Sequence, residues 1–409
     1  MSNFNWIENG SVTSTPGFKA CGVTAGLKKS GKPDMALVAS DVPANFAGVF
    51  TPCVFAAAPV QRCRKLVRSS AKANAFIINS GNANACTGAA GLENAGKMSE
   101  LTAGALNINA SEVLVASTGR IGVQMPMDII EKGIKQAAAA LSYDGGNAAA
   151  EAIMTTDTVP KACALSVELS GGTVTIGAIC KGVGMIDPQM TTAPHATMIC
   201  CITTDAKCDN ALLEKMLKAN ADCSFNRITV DGDMSTNDTC VIFANGVSNI
   251  AITENSDDAA KFQSALLAVM QNLARKQVMD GEGATKFVDI QVDGAPDDNA
   301  AKMLAEAVAN SLLCKTAWFG CDPNWGRIVA ALGYAHVPFD PDKVDIYYDD
   351  MIVVRKGGDA GTPEADLAKV LKNREFTVKV HLNQGDGEYW VWTSDVSYEY
   401  VKINAEYHT

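Results

Sequence analysis

Residues 181–205 read KGVGMIDPQMTTAPHATMICCITTD. The stretch opens on a Lys-Gly-x-Gly turn, crosses a loop holding Pro188, Pro194 and His195, and runs from Ala196-Thr197 straight into Met198-Ile199-Cys200-Cys201-Ile202-Thr203. An unbroken apolar and β-branched run bounded by loop residues predicts a buried strand. A small residue followed by a threonine at the mouth of such a strand, beside glycines and a lysine, admits two readings. Thr197 is either an ordinary strand start, as β-branched residues often are, or a nucleophile.

Outward from this stretch the chain reads as mixed α/β. Upstream, 161–168 and 173–180 alternate with period two around Gly171-Gly172, the pattern of a hairpin. A short helix over 148–154 precedes Thr155-Thr156-Asp157. Earlier still, 112–116 predicts a strand that ends in Ser117-Thr118-Gly119-Arg120-Ile121-Gly122, between helices over 92–106 and 126–141. Pro126 suits a helix start, and Ile129, Ile130, Ile134 and Ala138 share one face. Residues 75–79, AFIIN, form another short strand, which ends in the Gly/Asn-rich loop SGNANA. The first 60 residues read as β-rich.

Downstream, a helix over 211–220, strands over 228–230 and 239–244, and a helix over 264–279 lead to Asp280-Gly281-Glu282-Gly283. A strand over 286–292, an Ala-rich helix over 299–313 and strands near 344–348, 376–382 and 388–393 predict a second, smaller α/β unit from about residue 284. Asn324-Trp325-Gly326-Arg327 reads as a packed turn.

Composition narrows the function classes. The 409 residues are 47% hydrophobic and 19% charged, an ordinary globular balance, and enough for two or three domains. A net charge of −11 argues against a nucleic-acid partner, because phosphate contacts need clustered Lys and Arg. No apolar run approaches the ~20 residues of a membrane span, and the N-terminus has no signal- or transit-peptide pattern. The 13 cysteines are odd in number, scattered and free of C-x-x-C spacing, which predicts reduced, buried thiols in a cytoplasmic setting. The four histidines lie too far apart for a metal motif, and no metal or other cofactor is expected. Asp231 and Asp238 lack the spacing of a calcium loop and predict structural hydrogen bonds.

Two routes could activate Thr197. A Ser-His or Cys-His type of site would need a histidine beside the nucleophile, and His195, two residues away, is poorly placed for it. The other route is a cut before Thr197. The new α-amino group has a reference pKa of about 7.7 to 8.0 and can take the hydroxyl proton itself. The same hydroxyl can make the cut by attacking the Ala196 carbonyl. The resulting oxyanion needs donors, for which the Thr118 hydroxyl and the Gly119 N–H are the candidates.

The motifs STGRIG, TTDTVPK, KGVGMIDP, ATMICCITTDA, DGDMSTNDT, DGEGATK, FGCDPNWGRI and YVKINAEYHT, in this order from about residue 17 to 409, resemble the ornithine acetyltransferase (glutamate N-acetyltransferase) family. The resemblance implies a self-cleaving enzyme with an αββα layered sandwich like that of N-terminal-nucleophile enzymes. It implies acetyl transfer from N-acetylornithine to glutamate through an acetyl-threonine, in arginine biosynthesis. Carried onto this chain, Thr197 is the nucleophile, Ala196 the residue before the cut, and Thr118 with Gly119 the oxyanion hole. Thr155 or Thr156, Lys181, Glu282, Asn404 and Thr409 are the substrate contacts. A lysine suits an α-carboxylate and a glutamate suits the ornithine ammonium.

One spacing departs from the family. Its lysine and nucleophile are eleven residues apart, which from Lys181 leads to Thr192. An insertion of about five residues near TTAPH restores Thr197, and ATMICCITTDA then continues without a gap, as a strand whose register is fixed by its buried face requires. Thr192 is the alternative.

The expectation is therefore a precursor cut into 1–196 and 197–409, with 197–283 completing the main sandwich and 284–409 forming the smaller domain whose tail returns to the site. The two chains would pair as a heterotetramer of two α and two β chains. Acetyl-CoA stays open as a second donor. An amidohydrolase or aminopeptidase using the same threonine, and an uncleaved metabolite-binding relative, are the rival readings.

Overall fold

The computed structural model describes residues 4–190 and 198–406. Two compact units emerge from it, one holding 4–226 and 234–277, the other 227–233 and 278–406.

The first unit is built on β1 (Phe4–Trp6), β2 (Phe18–Val23), β3 (Met35–Phe50), β4 (Ala73–Asn82), β5 (Val113–Arg120), β6 (Lys161–Leu169), β7 (Gly172–Lys181), β8 (Ile199–Thr204) and β10 (Thr239–Ala244). β9 (Ile228–Thr229) belongs to the second unit. The helices of the first unit are α1 (Ala58–Ser69), α2 (Gly88–Leu106), α3 (Met127–Ala139), α4 (Gly146–Ala152), α5 (Asn210–Ala221) and α6 (Asp257–Met279), the last ending in the second unit. The strands run in the order β1-β6-β7-β8-β10-β3-β4-β5, with β2 also on β3. β3 is the bend. Its 45–50 half pairs with β10, and its 35–40 half with β2 and β4.

Alternation along the strands sorts the side chains into layers. Val38, Phe76, Ile78, Leu114 and Ala116 face Ile179, Ile199, Cys201, Val241 and Phe243 in one core between the two halves of the sheet. The rings of Phe76 and Phe243 lie 6.4 Å apart there. The intervening residues Leu37, Ile77, Val113 and Val115 turn outward onto Met98 of α2 and Ile130 and Ile134 of α3. On the other outer face α6 is tied to β6 and β7: Lys276 Nζ donates to Ala162 O at 2.7 Å and Gln277 Nε2 to Lys181 O at 3.0 Å. Helix, sheet, sheet and helix therefore stack as the expected αββα sandwich. The 13 cysteine thiols are free, most of them buried.

The second unit has a seven-stranded sheet in the order β14-β13-β12-β15-β11-β16-β9, from β11 (Phe287–Ala295), β12 (Asp345–Tyr348), β13 (Met351–Arg355), β14 (Gly358–Asp359), β15 (Glu375–His381) and β16 (Gly387–Ser394). Its helices are α7 (Asp298–Ala309), α8 (Leu312–Phe319), α9 (Trp325–Gly333), α10 (Glu364–Lys372) and α11 (Tyr398–Glu406). Val288, Ile290, Leu304, Val308, Trp318 and Val378 share its core.

The opening is β-rich as expected, through β1, β2 and β3, and is followed by a helix that was not expected, α1, which Pro59 enters in its first turn and which buries Val60, Cys63 and Leu66. Two local expectations are corrected. The helix expected over 299–313 stops at Asn310, because Ser311 starts a new one by accepting the Cys314 N–H at 3.3 Å. Asn324-Trp325-Gly326-Arg327 is no turn but the start of α9, and Arg327 Nη1 reaches back to Leu313 O at 2.7 Å.

Candidate active site

β4 and β5 run parallel and end together, with Ser80 opposite Thr118 and Gly81 opposite Gly119. Gly119 has φ +122°, and a Cβ there would lie 2.5 Å from the Gly81 carbonyl carbon and 2.8 Å from Asn82 N. Only glycine fits, both for the backbone angle and for the approach. The turn beyond is fixed by asparagines. Ser117 Oγ donates to Asn79 Oδ1 at 2.6 Å, Asn79 Nδ2 donates to Asn82 O at 2.8 Å, and Asn84 N donates to Asn82 Oδ1 at 2.8 Å. Asn237 Nδ2 donates to both Ala83 O (2.6 Å) and Ser117 O (2.7 Å), joining the loop ahead of β10 to the two strand ends.

Lys181 closes β7 and is 4% exposed. Its Nζ donates to Thr155 Oγ1 at 2.9 Å and to Thr118 Oγ1 at 3.3 Å. An ammonium has three protons, so these bonds leave one for a ligand. They also occupy the hydroxyl oxygen of Thr118 as acceptor and leave its proton free to be donated onward.

Asp157 supplies the counter-charge. Its carboxylate takes Lys161 Nζ at 2.8 Å, Gly182 N at 2.9 Å and Thr155 N at 3.0 Å. Burial alone would raise its pKa, yet the charges of Lys181 and Lys161 and the Gly182 N–H bring it down to about 2. Lys161 and Asp157 form an ion pair with both side chains fully buried. Such a pair specifies an arrangement more than it adds stability, since desolvation offsets much of the attraction.

Asp238 behaves in the opposite way. It is 1% exposed, and its Oδ1 has no hydrogen-bond partner among the described residues, where structural hydrogen bonds were expected. Burial pushes its carboxyl well above the usual range although Lys181 pulls it down. Asp231 does have bonds, from Asp233 N at 3.4 Å and from Tyr400 OH at 3.3 Å.

The structure thus brings Thr118, Thr155 and Lys181 into one hydrogen-bonded group, with Gly119 next in the strand and Thr156 half-buried next to Thr155. Glu282 and Asn404 meet in the second unit, where Asn404 Nδ2 donates to a nearly buried Glu282 at 2.7 Å. Ala196, Thr197, Thr192 and Thr409 lie outside the described residues. Asp157, Gly81 and Asn237 were absent from the sequence-derived set. Asp157 sits inside the quoted motif TTDTVPK, the one signal that could have found it.

An acyltransferase is the class that this fold and this group of residues fit. The chain belongs to the ArgJ family, whose profile matches residues 19–409. It is 47% identical over 407 residues to the arginine biosynthesis bifunctional protein ArgJ of Symbiobacterium thermophilum, covering 99% of this chain and all of that protein. The protein of the same name from Geobacter sulfurreducens is 48% identical over 395 residues, covering 96% of this chain and 99% of its own length. Among solved structures, the ornithine acetyltransferase of Mycobacterium tuberculosis complexed with ornithine matches at 39% identity, over 46% of this chain and 100% of that one, with a TM-score of 0.43.

Proposed function

We propose that the chain is a glutamate N-acetyltransferase that moves an acetyl group from N2-acetylornithine to glutamate in arginine biosynthesis, after cutting itself between Ala196 and Thr197. The Lys181 ammonium hydrogen-bonded to both Thr118 and Thr155 is the observation that carries the reading. It joins a cation for a substrate carboxylate to a hydroxyl whose proton is free for an oxyanion.

In the precursor, Thr197 Oγ attacks the Ala196 carbonyl carbon. The C–O bond forms, the C–N bond breaks, and the nitrogen takes the hydroxyl proton. Water then hydrolyses the ester, which leaves the Ala196 carboxylate and a free Thr197 with its amine and hydroxyl. In the mature enzyme this amine accepts the hydroxyl proton while Oγ attacks the acetyl carbonyl of the donor. Thr118 and the Gly119 N–H hold the oxyanion, and ornithine leaves with the proton on its α-nitrogen. The glutamate amine attacks the acetyl-threonine in turn, and N-acetylglutamate leaves. Lys181, with Thr155 and Thr156, receives the substrate α-carboxylate. Glu282, held by Asn404, receives the donor's ammonium, and Thr409 completes the substrate contacts.

The cut chains 1–196 and 197–409 remain together as α and β chains, in a heterotetramer of two of each. The second reaction implied by a bifunctional protein is acetylation of glutamate from acetyl-CoA. No helix among the described residues is long and apolar enough to cross a membrane, and a cytoplasmic location is part of the proposal.

The test is a denaturing gel with N-terminal sequencing, joined to an assay of acetyl transfer. Two nearly equal fragments, the second beginning at Thr197, and transfer from N-acetylornithine to glutamate are expected. Thr197→Ala stops both cutting and transfer, whereas Thr197→Ser keeps part of each. A fragment beginning at Thr192, or normal transfer by Thr197→Ala, would overturn the assignment of the nucleophile. Release of acetate to water without transfer would favour the hydrolase, and an intact inactive chain a metabolite-binding protein.

A further inference from the structure

A second lysine stands at this site by a route that begins with Asp34. This carboxylate is completely buried and accepts four successive backbone N–H groups: Ala25 at 2.6 Å, Gly26 at 3.0 Å, Leu27 at 2.6 Å and Lys28 at 3.0 Å. Residues 25–28 are thereby wrapped round a single anion. The same residue is anchored to the strands, since Asp34 N donates to Val23 O at 3.0 Å and Ser80 N donates to Asp34 O at 2.8 Å. The loop has little freedom, and what it delivers is Lys28.

The Lys28 stem crosses Gly81. A Cβ on Gly81 would lie 3.4 Å from Lys28 Cγ, and Gly81 is the residue opposite Gly119. The half-buried Lys28 Nζ donates to Pro33 O at 2.6 Å, and among the described residues it has no second hydrogen-bond partner. Two of its protons therefore remain for solvent or a ligand. The charged groups that act on it are Asp34, Lys181, Asp157 and Lys32. Burial is the main influence and lowers its pKa to about 8. Asp34 and Asp157 oppose this, while Lys181 and Lys32 add to it.

The proposed reaction sets an unusual charge problem. The donor carries one carboxylate and a side-chain ammonium. The acceptor carries two carboxylates, and its attacking amine must be neutral. One cation for the α-carboxylate serves both substrates, but the rest of each molecule has the opposite charge. A permanently charged second cation would favour one substrate and repel the other. An ammonium that loses its proton close to neutrality can adapt.

We propose that Lys28 is a specificity-determining residue of the acceptor half-reaction, its ammonium binding the side-chain carboxylate of the dicarboxylic amino acid that receives the acetyl group. The inference rests on the functional reading above. When the cationic donor occupies the site, Lys28 gives up its proton to solvent and the repulsion is removed.

The test measures kcat/KM and KM for each substrate separately in the cut, full-length enzyme, with circular dichroism melts to establish folding. Lys28→Met should raise the KM for glutamate by about 30-fold, the scale of a lost charge-assisted contact, and change the KM for N-acetylornithine by less than about 3-fold. Lys28→Arg, which cannot be deprotonated, should keep glutamate binding and weaken the donor, a reversal that damage to the fold would not produce. With glutamine as acceptor, Lys28→Met should cause no further loss. Equal losses for donor and acceptor, no loss at all, or an equal loss with glutamine would overturn the role of Lys28 alone. A wild-type enzyme without transfer to glutamate would overturn the functional reading as well.

Discussion

Gly81 and Gly119 stand opposite each other on parallel strands, and the second is so close to the first that a methyl group on it would lie 2.5 Å from the Gly81 carbonyl carbon. The Thr118 end of the site depends on this approach. Gly119→Ala has to separate β4 from β5 and also strain a backbone at φ +122°. Its cost is about 2 kcal/mol or more in stability, with transfer reduced at least ~100-fold. Gly104 is the control. It lies exposed in the last turn of α2, with no atom within 4 Å of its added Cβ, so Gly104→Ala should raise stability by up to about 0.5–1 kcal/mol. Thermal melts and initial rates on the two variants check both statements.

In the proposed reaction Lys181 does two things at once, so its loss should be visible in both half-reactions. Lys181→Met removes the cation and leaves the Thr118 hydroxyl without the bond that orients it. A fall of about 100-fold or more in kcat/KM for N-acetylornithine and for glutamate alike is expected. Glu282→Gln should instead single out the donor. Its KM for N-acetylornithine rises about 10- to 100-fold while that for glutamate is little changed. Steady-state kinetics with each substrate varied in turn separates the two.

Two buried carboxyls should give the stability curve opposite slopes. Asp157 has a folded pKa of about 2 against an ordinary value of 3.8, so its contribution is complete above the ordinary value and is lost as the pH falls through about 2. At neutral pH that contribution is about 2 kcal/mol. Asp238 is shifted upward from 3.8, so the protein loses stability as the pH climbs from there through the folded value. Asp238→Asn should flatten that second slope. Asp157→Asn should lower stability by about 3 to 5 kcal/mol at neutral pH, because it leaves buried lysine charge uncompensated. Denaturant titrations at a series of pH values measure both.

Asn237 offers a test of the loop that supports Thr118. Its side chain satisfies two buried carbonyls, Ala83 O and Ser117 O, and Asn237→Ala should cost about 2 to 4 kcal/mol by leaving them without a donor. Asn237→Asp should be no better, since an ionised carboxylate cannot donate. Chemical denaturation of both variants is the measurement.

The fold could be read from the sequence where a single physical signal dominated. The strand 239–244 was legible to the residue because its apolar run is unbroken, and the hairpin of β6 and β7 because period-two alternation surrounds a glycine pair, although the turn falls one residue earlier, on Ser170-Gly171, with Gly172 paired to Leu169. α1 was hidden, since APVQRCRKLVRS carries a proline and four positive charges around the few residues it buries. Lys181 was legible through its motif. The surroundings of Asp157, Lys28 and Asp34 were not: Asp157 meets Gly182 and Lys28 meets Gly81 only through the fold, and Asp34 is reached by a loop that turns back on it. Nothing in Ser-Gly-Lys-Pro-Asp indicates that the last residue will gather four amides.

The order β7-β8-β10-β3 governs how this protein can be assembled. A cut at 196/197 assigns β7 and β3 to one fragment and β8 and β10 to the other, so the second fragment fills the middle of a sheet whose flanks belong to the first. Made separately, the first fragment would show two raw strand edges and the second a two-stranded ribbon, both prone to mispairing. Made as one chain, the strands would find their places before the proposed cut, and the ladders on either side would then hold the pieces without the bond. On that proposal the Ala196-Thr197 linkage is scaffolding, needed during construction and dispensable once the walls stand.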